Sequence, residues 1–195
     1  GFMFPPNPLI KELLKKCIAQ AQHLYPIQIC ALLVESTHIH LLVRVIDPQD
    51  AVNFFGRFKT ESAHAVKRLL GRKKRTVWCE GYDSPLVDDI ETIKDKIAYI
   101  YENPSKDGLV DQVDHFPGLS TWNDFKNLGP RSHTKRKYET RYIARDEFKP
   151  LGQSPLKLRD YARLHRQLTY KKKKNFYEID FNVWMERFGI TDPHE

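Results

Sequence analysis

The sequence predicts an α+β protein, because β-rich and helical patterns alternate along it. Two β-rich runs at residues 27–34 and 39–46 are separated by a short polar segment, which predicts an antiparallel hairpin. Amphipathic segments with helical spacing lie on both sides of this hairpin. With 195 residues, 41% of them hydrophobic and 29% charged, the chain can bury a core and is too apolar to be disordered.

The first helix has clear start and stop signals. Asn7 can cap it and Pro8 suits its first position, where a missing N–H costs nothing. Tyr25-Pro26 ends it, because a proline disfavours helical geometry in the residue before it. Lysines occupy the face opposite the apolar residues, which are Leu9, Ile10, Leu13, Leu14, Cys17, Ile18 and Ala21.

The elements after the hairpin are less regular. We predict a second amphipathic helix at 51–70, followed by a basic turn. Short strands are expected at 77–79 and 86–87. A third helix is predicted at 90–102, where Asn103-Pro104 would stop it.

The composition changes after residue 130, where basic residues greatly outnumber acidic ones. We therefore divide the chain into a domain at 1–129 and a basic extension at 130–195. The extension is expected to be mainly helical, since 156–168 fits one helix, and its last apolar cluster lies at 176–188.

The charge balance favours a polyanionic partner. Thirty-two Lys and Arg against 25 Asp and Glu give a net charge of +7, and nucleic acid is the commonest such partner. The apolar runs are too short for a membrane span, and the N-terminus lacks the layout of a secretory signal. Cys17, Cys30 and Cys79 are too sparse for a disulfide framework and are expected to be buried and reduced.

His38 and His40 form the first candidate site. Residues i and i+2 of a strand point to the same face, so the two imidazoles are expected to lie side by side. Paired imidazoles are the minimum for a divalent metal site, although such pairs are more often ordinary surface or core residues. Glu35 and Gln28 lie too far along the hairpin for us to assign them a ligand role.

Tyr99 and Asn103 form the second candidate site, because residues four apart share one face of a helix. Tyr99 could be a nucleophile and Asn103 an oxygen ligand. Spacing alone favours a packed tyrosine and an asparagine that closes the helix. Tyr101 points elsewhere and is the natural control.

Two basic runs are either solvated faces or phosphate contacts. They comprise Arg72, Lys73, Lys74 and Arg75, and Lys171, Lys172, Lys173 and Lys174. Tyrosines interleave with the basic residues of the extension, a pattern that suits stacking on unpaired bases. These tyrosines are Tyr138, Tyr142, Tyr161, Tyr170 and Tyr177.

Three blocks, in order, resemble the single-tyrosine HUH transposases. Thr-His-Ile-His-Leu-Leu-Val at 37–43 resembles the HUH signature of two histidines around an apolar residue. Val-Trp-Cys-Glu-Gly-Tyr at 77–82 resembles the tryptophan block that follows it, and the segment at 99–110 is similar to the tyrosine helix, Tyr-Ile-x-x-Asn-Pro-x-x-x-Gly-Leu-Val. Trp122 resembles a tryptophan that often follows the tyrosine helix in this family. The similarity covers roughly 8–125 and is strongest to the IS200-like, REP-associated tyrosine transposases.

The resemblance implies a ferredoxin-like antiparallel sheet with helices packed on it. It implies a transposase that nicks and joins single-stranded or hairpin DNA, with Mg²⁺ or Mn²⁺ held by His38, His40 and Asn103. Tyr99 would be the nucleophile and would form a 5′-phosphotyrosine. Relatives occur as monomers and as dimers, so the resemblance is compatible with a homodimer but does not require one. The expected location is the bacterial cytoplasm, on the nucleoid when DNA is bound, with no membrane partner.

The chain departs from the family pattern in three places. Ser36-Thr37 stands where Pro-Asn is usual, a change of turn that should keep the ligands. The usual first strand is missing or reduced to residues 2–4, so the chain is expected to be a fragment or to begin unusually. Ser105-Lys106-Asp107 replaces a small or basic spacer.

Two other functions remain open. The chain could be a catalytically silent, domesticated relative that binds structured DNA or RNA, although retention of His38, His40, Tyr99 and Asn103 argues against this. It could also be a hydrolase that uses only the histidines, with Tyr99 as packing. A covalent protein–DNA adduct would separate the transposase from both.

Overall fold

The computed structural model describes residues 4, 6–69, 76–128, 135–142 and 171–190. It confirms the α+β class, with helices packed on a five-stranded sheet. The helices are α1 (Pro8–Leu24), α2 (Pro48–Leu69), α3 (Ile90–Lys106) and α4 (Trp122–Lys126), with 3₁₀ turns at Val113–His115 and Val183–Phe188. The strands are β1 (Gln28–Val34), β2 (Ile39–Arg44), β3 (Leu119–Ser120), β4 (Lys135–Tyr142) and β5 (Lys171–Asp180).

The sheet has the order β2-β1-β5-β4, and β3 pairs with β1 beside this path. All pairs are antiparallel except β1 with β5, which run parallel. The predicted hairpin is therefore confirmed as β1 and β2. Within the described residues, β2, which carries His40, is an edge strand of the sheet.

Strand β1 is buried on both faces, which makes it the centre of the fold. Its register against β2 shifts between Ile29 and Ala31, and the extra residue of this bulge reverses the side-chain alternation. Ile29 consequently lies in the same core cluster as Leu32 and Val34, together with α1 and α2. Ala31 and Leu33 face the opposite cluster, which contains the apolar residues of α3.

Helix α1 begins and ends where the sequence predicts. The Asn7 side-chain oxygen accepts a hydrogen bond of 3.0 Å from the Ile10 N–H, and Pro8 occupies the first helical position. The helix ends at Leu24, before Tyr25-Pro26. Its buried residues include every apolar residue that the helical spacing predicted.

Helix α3 is one turn longer than predicted. It passes through Asn103 and Pro104 and ends at Lys106, where Asp107 and the positive φ of Gly108 terminate it. A proline this close to the end disturbs few intrahelical bonds. The Pro104 carbonyl instead accepts N–H groups from Leu109 and Val110.

The tryptophan block at 77–82 packs on α2 without forming a strand. The Trp78 indole N–H donates to Ser62 Oγ at 2.9 Å, and Lys59 Nζ donates to the carbonyls of Cys79 and Gly81. The strands predicted at 77–79 and 86–87 do not form, because the backbone of both described segments is irregular. Cys17 and Cys30 are buried as expected, whereas the expectation is wrong for Cys79, which is exposed.

The described part of the extension completes the sheet rather than forming helix. Strand β5 pairs with β1, and β4 pairs with β5. The side chain of Gln22 in α1 forms two hydrogen bonds with the backbone of Glu178 in β5. It donates to the Glu178 carbonyl at 3.0 Å and accepts from the Glu178 N–H at 2.8 Å. The predicted helix at 156–168 lies outside the described residues, and the boundary at 130 stays a prediction.

Candidate metal centre and tyrosine helix

The β1–β2 register places His40 on the sheet face that α3 covers. His40 lies opposite Leu33, and residues directly opposite on antiparallel strands share a face. Leu33 belongs to the cluster of α3. The rings of His38 and His40 lie edge to face with their centroids 4.7 Å apart, which confirms that the two imidazoles are side by side.

Glu35 belongs to the same cluster, contrary to our expectation that it lies too far along the hairpin. One ligand atom each from Glu35, His38 and His40 lies within 4.8 Å of the others. The reason is the turn: the Glu35 N–H donates to the His38 carbonyl at 2.9 Å, so only Ser36 and Thr37 form the loop. Glu35 and His38 thus face each other across a two-residue turn, on the same face as Leu33 and His40.

The cluster contains nitrogen and oxygen atoms that the fold leaves unsatisfied. Among the described residues, His40 Nε2 and both Glu35 carboxylate oxygens are buried without a hydrogen-bond partner. His38 Nδ1 lies 2.8 Å from Thr37 Oγ1. His38 Nε2 lies 2.8 Å from Glu35 Oε2, but this contact does not have the geometry of a hydrogen bond. Two imidazoles and a carboxylate form a donor set for a divalent cation.

Burial controls the protonation of the cluster. It lowers the pKa of His40, and neighbouring His38 lowers it further, while the Asp107 carboxylate opposes this shift. The neutral imidazole that results is the form that binds metal. Burial also raises the pKa of Glu35, with His38 lowering it and Asp107 raising it.

Helix α3 brings Tyr99 to the histidines. The rings of His40 and Tyr99 are edge to face, with their centroids 5.8 Å apart. Tyr99 is 46% exposed, so its hydroxyl is accessible to a substrate. Asn103 lies one turn further along α3, is 4% exposed, and donates from Nδ2 to the Tyr99 carbonyl at 2.8 Å, which leaves Oδ1 as the possible ligand atom.

Tyr101 is buried in the core, in contrast to the exposed Tyr99. It is 3% exposed, its hydroxyl lies 2.8 Å from Thr121 Oγ1, and its ring packs against Trp122 and Phe125. Burial raises its pKa far above that of an ordinary tyrosine. Its role in the described structure is therefore packing, whereas Tyr99 has the exposure that a reactive group needs.

Two lysines lie near the ring of Tyr99. The Nζ atoms of Lys96 and Lys106 lie 5.9 Å and 5.3 Å from the centroid of the Tyr99 ring. Lys106 also pairs with Glu102 at 2.9 Å. Both lysines and Tyr99 line an open groove of about 430 Å³, which is also lined by the acidic residues Asp95 and Glu102. We did not predict a role for the two lysines, although their spacing of three and seven residues from Tyr99 indicates a shared helix face.

The other predicted nucleic-acid contacts are only partly described. Residues 72–75 lie outside the described residues, and Lys171 to Lys174 form the first part of β5. The stacking prediction is wrong for Tyr177, which is buried, and Tyr138 is half-buried and donates to Asp124 Oδ2 at 2.8 Å. Their rings stack on each other at 4.9 Å, inside the fold. Tyr161 and Tyr170 lie outside the described residues, as does the side chain of Tyr142.

The family model described as "Transposase IS200 like" matches residues 6–103, which is half of the chain. The chain belongs to this family. The match runs from the start of α1 to Asn103 and so includes the histidine pair and Tyr99. No curated protein and no solved structure matches the chain.

Membership of the IS200-like transposase family implies a DNA-processing enzyme of the transposase type, with DNA as its substrate. The family depends on metal in general, and the described residues supply a cluster that could hold an ion. No helix in the described part of the chain is both long and apolar enough to cross a membrane.

Proposed function

We propose that this IS200-like transposase is a metal-dependent endonuclease and strand transferase that acts on single-stranded, hairpin-type DNA through a 5′-phosphotyrosine. The observation that carries the proposal is the placement of an exposed tyrosine, Tyr99, against His40 of a paired-imidazole cluster. Metal ligands and a nucleophile on adjoining elements are what a phosphoryl transfer needs.

His38, His40 and Asn103 would hold the ion, which we propose to be Mg²⁺ or Mn²⁺. The buried, unpartnered Nε2 atom of half-buried His40 and the lowered pKa of its ring fit this role. A bound divalent ion would supply charge stabilisation at the scissile phosphate. The rigid hairpin and the packed face of α3 fix the ligands before substrate arrives, which lowers the reorganisation needed for reaction.

Tyr99 would attack the phosphorus of the scissile phosphodiester. A bond forms between its phenolic oxygen and phosphorus while the bond from phosphorus to the 3′-oxygen breaks. The phenolic proton leaves to solvent, and the released 3′-oxygen takes up a proton. The DNA then carries a free 3′-OH, and its 5′-phosphate is esterified to Tyr99. Attack by a 3′-OH reverses these changes and joins strands, because the phosphotyrosine keeps the energy of the broken bond.

Lys96 and Lys106 would position the DNA backbone at Tyr99. Their ammonium groups lie 5.9 Å and 5.3 Å from the centroid of the ring, so a phosphate that reaches Tyr99 would meet two positive charges. Such contacts give affinity and register without reading sequence. We propose that the basic runs at 72–75 and 171–174 extend this contact along the strand.

The test is incubation of the protein with labelled single-stranded hairpin oligonucleotides and Mn²⁺, followed by denaturing electrophoresis. We expect a protease-sensitive covalent band, lost in Tyr99→Phe and retained in the matched control Tyr101→Phe. Nicked DNA without an adduct would favour a water-using hydrolase instead. Binding of the hairpin with neither product would favour the silent relative.

A further inference from the structure

We infer that Glu35 is a direct ligand of the metal, in addition to the proposed ligands His38, His40 and Asn103. The inference rests on the proposed metal dependence and adds a ligand that this chain supplies from its hairpin turn. Neither the HUH signature nor the tyrosine helix includes this position.

The contact between Glu35 and His38 has the distance of a hydrogen bond without the geometry of one. Glu35 Oε2 lies 2.8 Å from His38 Nε2, yet within the described structure neither Glu35 oxygen has a hydrogen-bond partner. A carboxylate that merely oriented His38 would accept its N–H in line. When two ligand atoms each lie about 2.1 Å from one ion and their bonds to the ion form a right angle, the two atoms are about 3 Å apart. The observed pair therefore fits neighbouring ligands better than donor and acceptor.

The burial of Glu35 requires a compensating charge. The residue is 2% exposed, and a carboxylate removed from water without hydrogen bonds is costly unless a cation pairs with it. His38 is the only adjacent cation that the described residues offer, and it is charged only when protonated. A divalent ion would satisfy both Glu35 oxygens and the unpartnered His40 Nε2 at once.

The backbone keeps Glu35 in this position. The Glu35 N–H donates to the His38 carbonyl. The neighbouring residues Val34 and Ile39 form the last pair between β1 and β2 before the turn. The loop between Glu35 and His38 is only Ser36 and Thr37, so the two ligands cannot drift apart without breaking the end of the hairpin. The backbone of Glu35 is thus anchored in the hairpin next to that of His38.

A site of two imidazoles and a carboxylate favours transition-metal ions. At sites with nitrogen ligands, metal affinity rises from Mn²⁺ through Co²⁺ to Cu²⁺ and falls again at Zn²⁺, whereas Mg²⁺ prefers oxygen ligands and retains its waters. We therefore expect Mn²⁺ and Co²⁺ to bind this protein more tightly than Mg²⁺, with one ion per chain.

The test is titration of the full chain with Mn²⁺ and Co²⁺, without DNA, by calorimetry. Loss of an outer-sphere partner weakens metal binding by about 10- to 100-fold, so Glu35→Gln, which replaces a charged ligand with a neutral amide, should weaken Mn²⁺ binding at least tenfold. Glu61→Gln is the matched control, because Glu61 pairs with Arg57 on α2, away from the cluster. Glu35→His, which replaces the carboxylate with a nitrogen ligand, should still bind Co²⁺ but with a changed visible absorption spectrum.

The outcomes separate this inference from the proposed function. Wild-type Mn²⁺ affinity in Glu35→Gln, with binding lost in His40→Ala, would overturn the role of Glu35 and leave the histidine site intact. Unchanged affinity in both variants would overturn the metal site itself. An unchanged Co²⁺ spectrum in Glu35→His would also contradict ligation by Glu35. Metal-free melting curves of each variant report whether it is folded.

Discussion

Replacement of Tyr101 by phenylalanine should destabilise the fold by about 1 kcal/mol, because it removes one buried hydrogen bond and little else. Thr121 Oγ1 donates to the Leu32 carbonyl at 3.2 Å and accepts from the Leu32 N–H at 3.1 Å. Because the hydroxyl proton of Thr121 is already donated to the Leu32 carbonyl, the Tyr101 hydroxyl is the donor in the 2.8 Å contact between the two side chains.

The magnitude follows from what remains after the substitution. Thr121 keeps two hydrogen bonds, and the ring of residue 101 keeps its packing against Trp122 and Phe125. No buried group loses its last partner, so the cost is the net value of one hydrogen bond, about 0.5–1.5 kcal/mol. For a chain of 195 residues, 1 kcal/mol lowers the melting temperature by about 2–4 °C.

The assay is urea and thermal unfolding of wild type, Tyr101→Phe and Tyr99→Phe, followed by circular dichroism. Tyr99→Phe should melt like the wild type, because its half-exposed ring stays in place and its hydroxyl is accessible to water. A destabilised Tyr99→Phe with an unaffected Tyr101→Phe would refute the assignment of one tyrosine to chemistry and the other to packing.

Three further predictions follow from single contacts. Asn7→Ala removes the side-chain cap of α1 and should cost about 1 kcal/mol, measured by urea unfolding; an unchanged midpoint would contradict the capping role. Hydrogen bonds from the Thr92 hydroxyl and from the Thr92 N–H lower the pKa of Asp89 at the start of α3. The stabilisation that Asp89 contributes is therefore present above the ordinary aspartate pKa and is lost as the pH falls. The stability gap between wild type and Asp89→Asn should therefore shrink between pH 6 and about pH 3; a gap independent of pH would contradict this. Lys96→Ala and Lys106→Ala should each weaken binding to single-stranded DNA and reduce the slope of log affinity against log salt by about 0.7. Equal slopes in wild type and variants would remove these lysines from the DNA contact.

Local signals in the sequence were enough to predict the elements that carry the site. The cap and proline at Asn7-Pro8 define the start of α1, and the period-two spacing of His38 and His40 predicts their shared face. Tyr99 and Asn103 lie on one face of α3 because of their four-residue spacing. Each of these relationships depends on backbone periodicity within a few residues, which a sequence pattern records directly.

The features that were missed depend on turn geometry or on contacts distant in sequence. Glu35 joins the histidines because the loop has two residues, whereas a four-residue polar segment predicts a wider turn. The pairing of β5 with β1 joins residues 150 positions apart, as in Ile29 with Ile179, and local pattern carries no information on such partners. Helix α3 continues through Pro104, which lies in its last turn, where the missing N–H of proline costs only one intrahelical bond.

The central claim is that Tyr99 carries the DNA covalently, and tandem mass spectrometry of the purified protein–DNA adduct tests it most directly. Trypsin should release one peptide, residues 97–106, that contains both Tyr99 and Tyr101, so fragmentation must assign the phosphate within it. We predict the nucleotide phosphate on Tyr99 in the wild type and no adduct in Tyr99→Phe. A phosphate on Tyr101, or an adduct that persists in Tyr99→Phe, would contradict the claim.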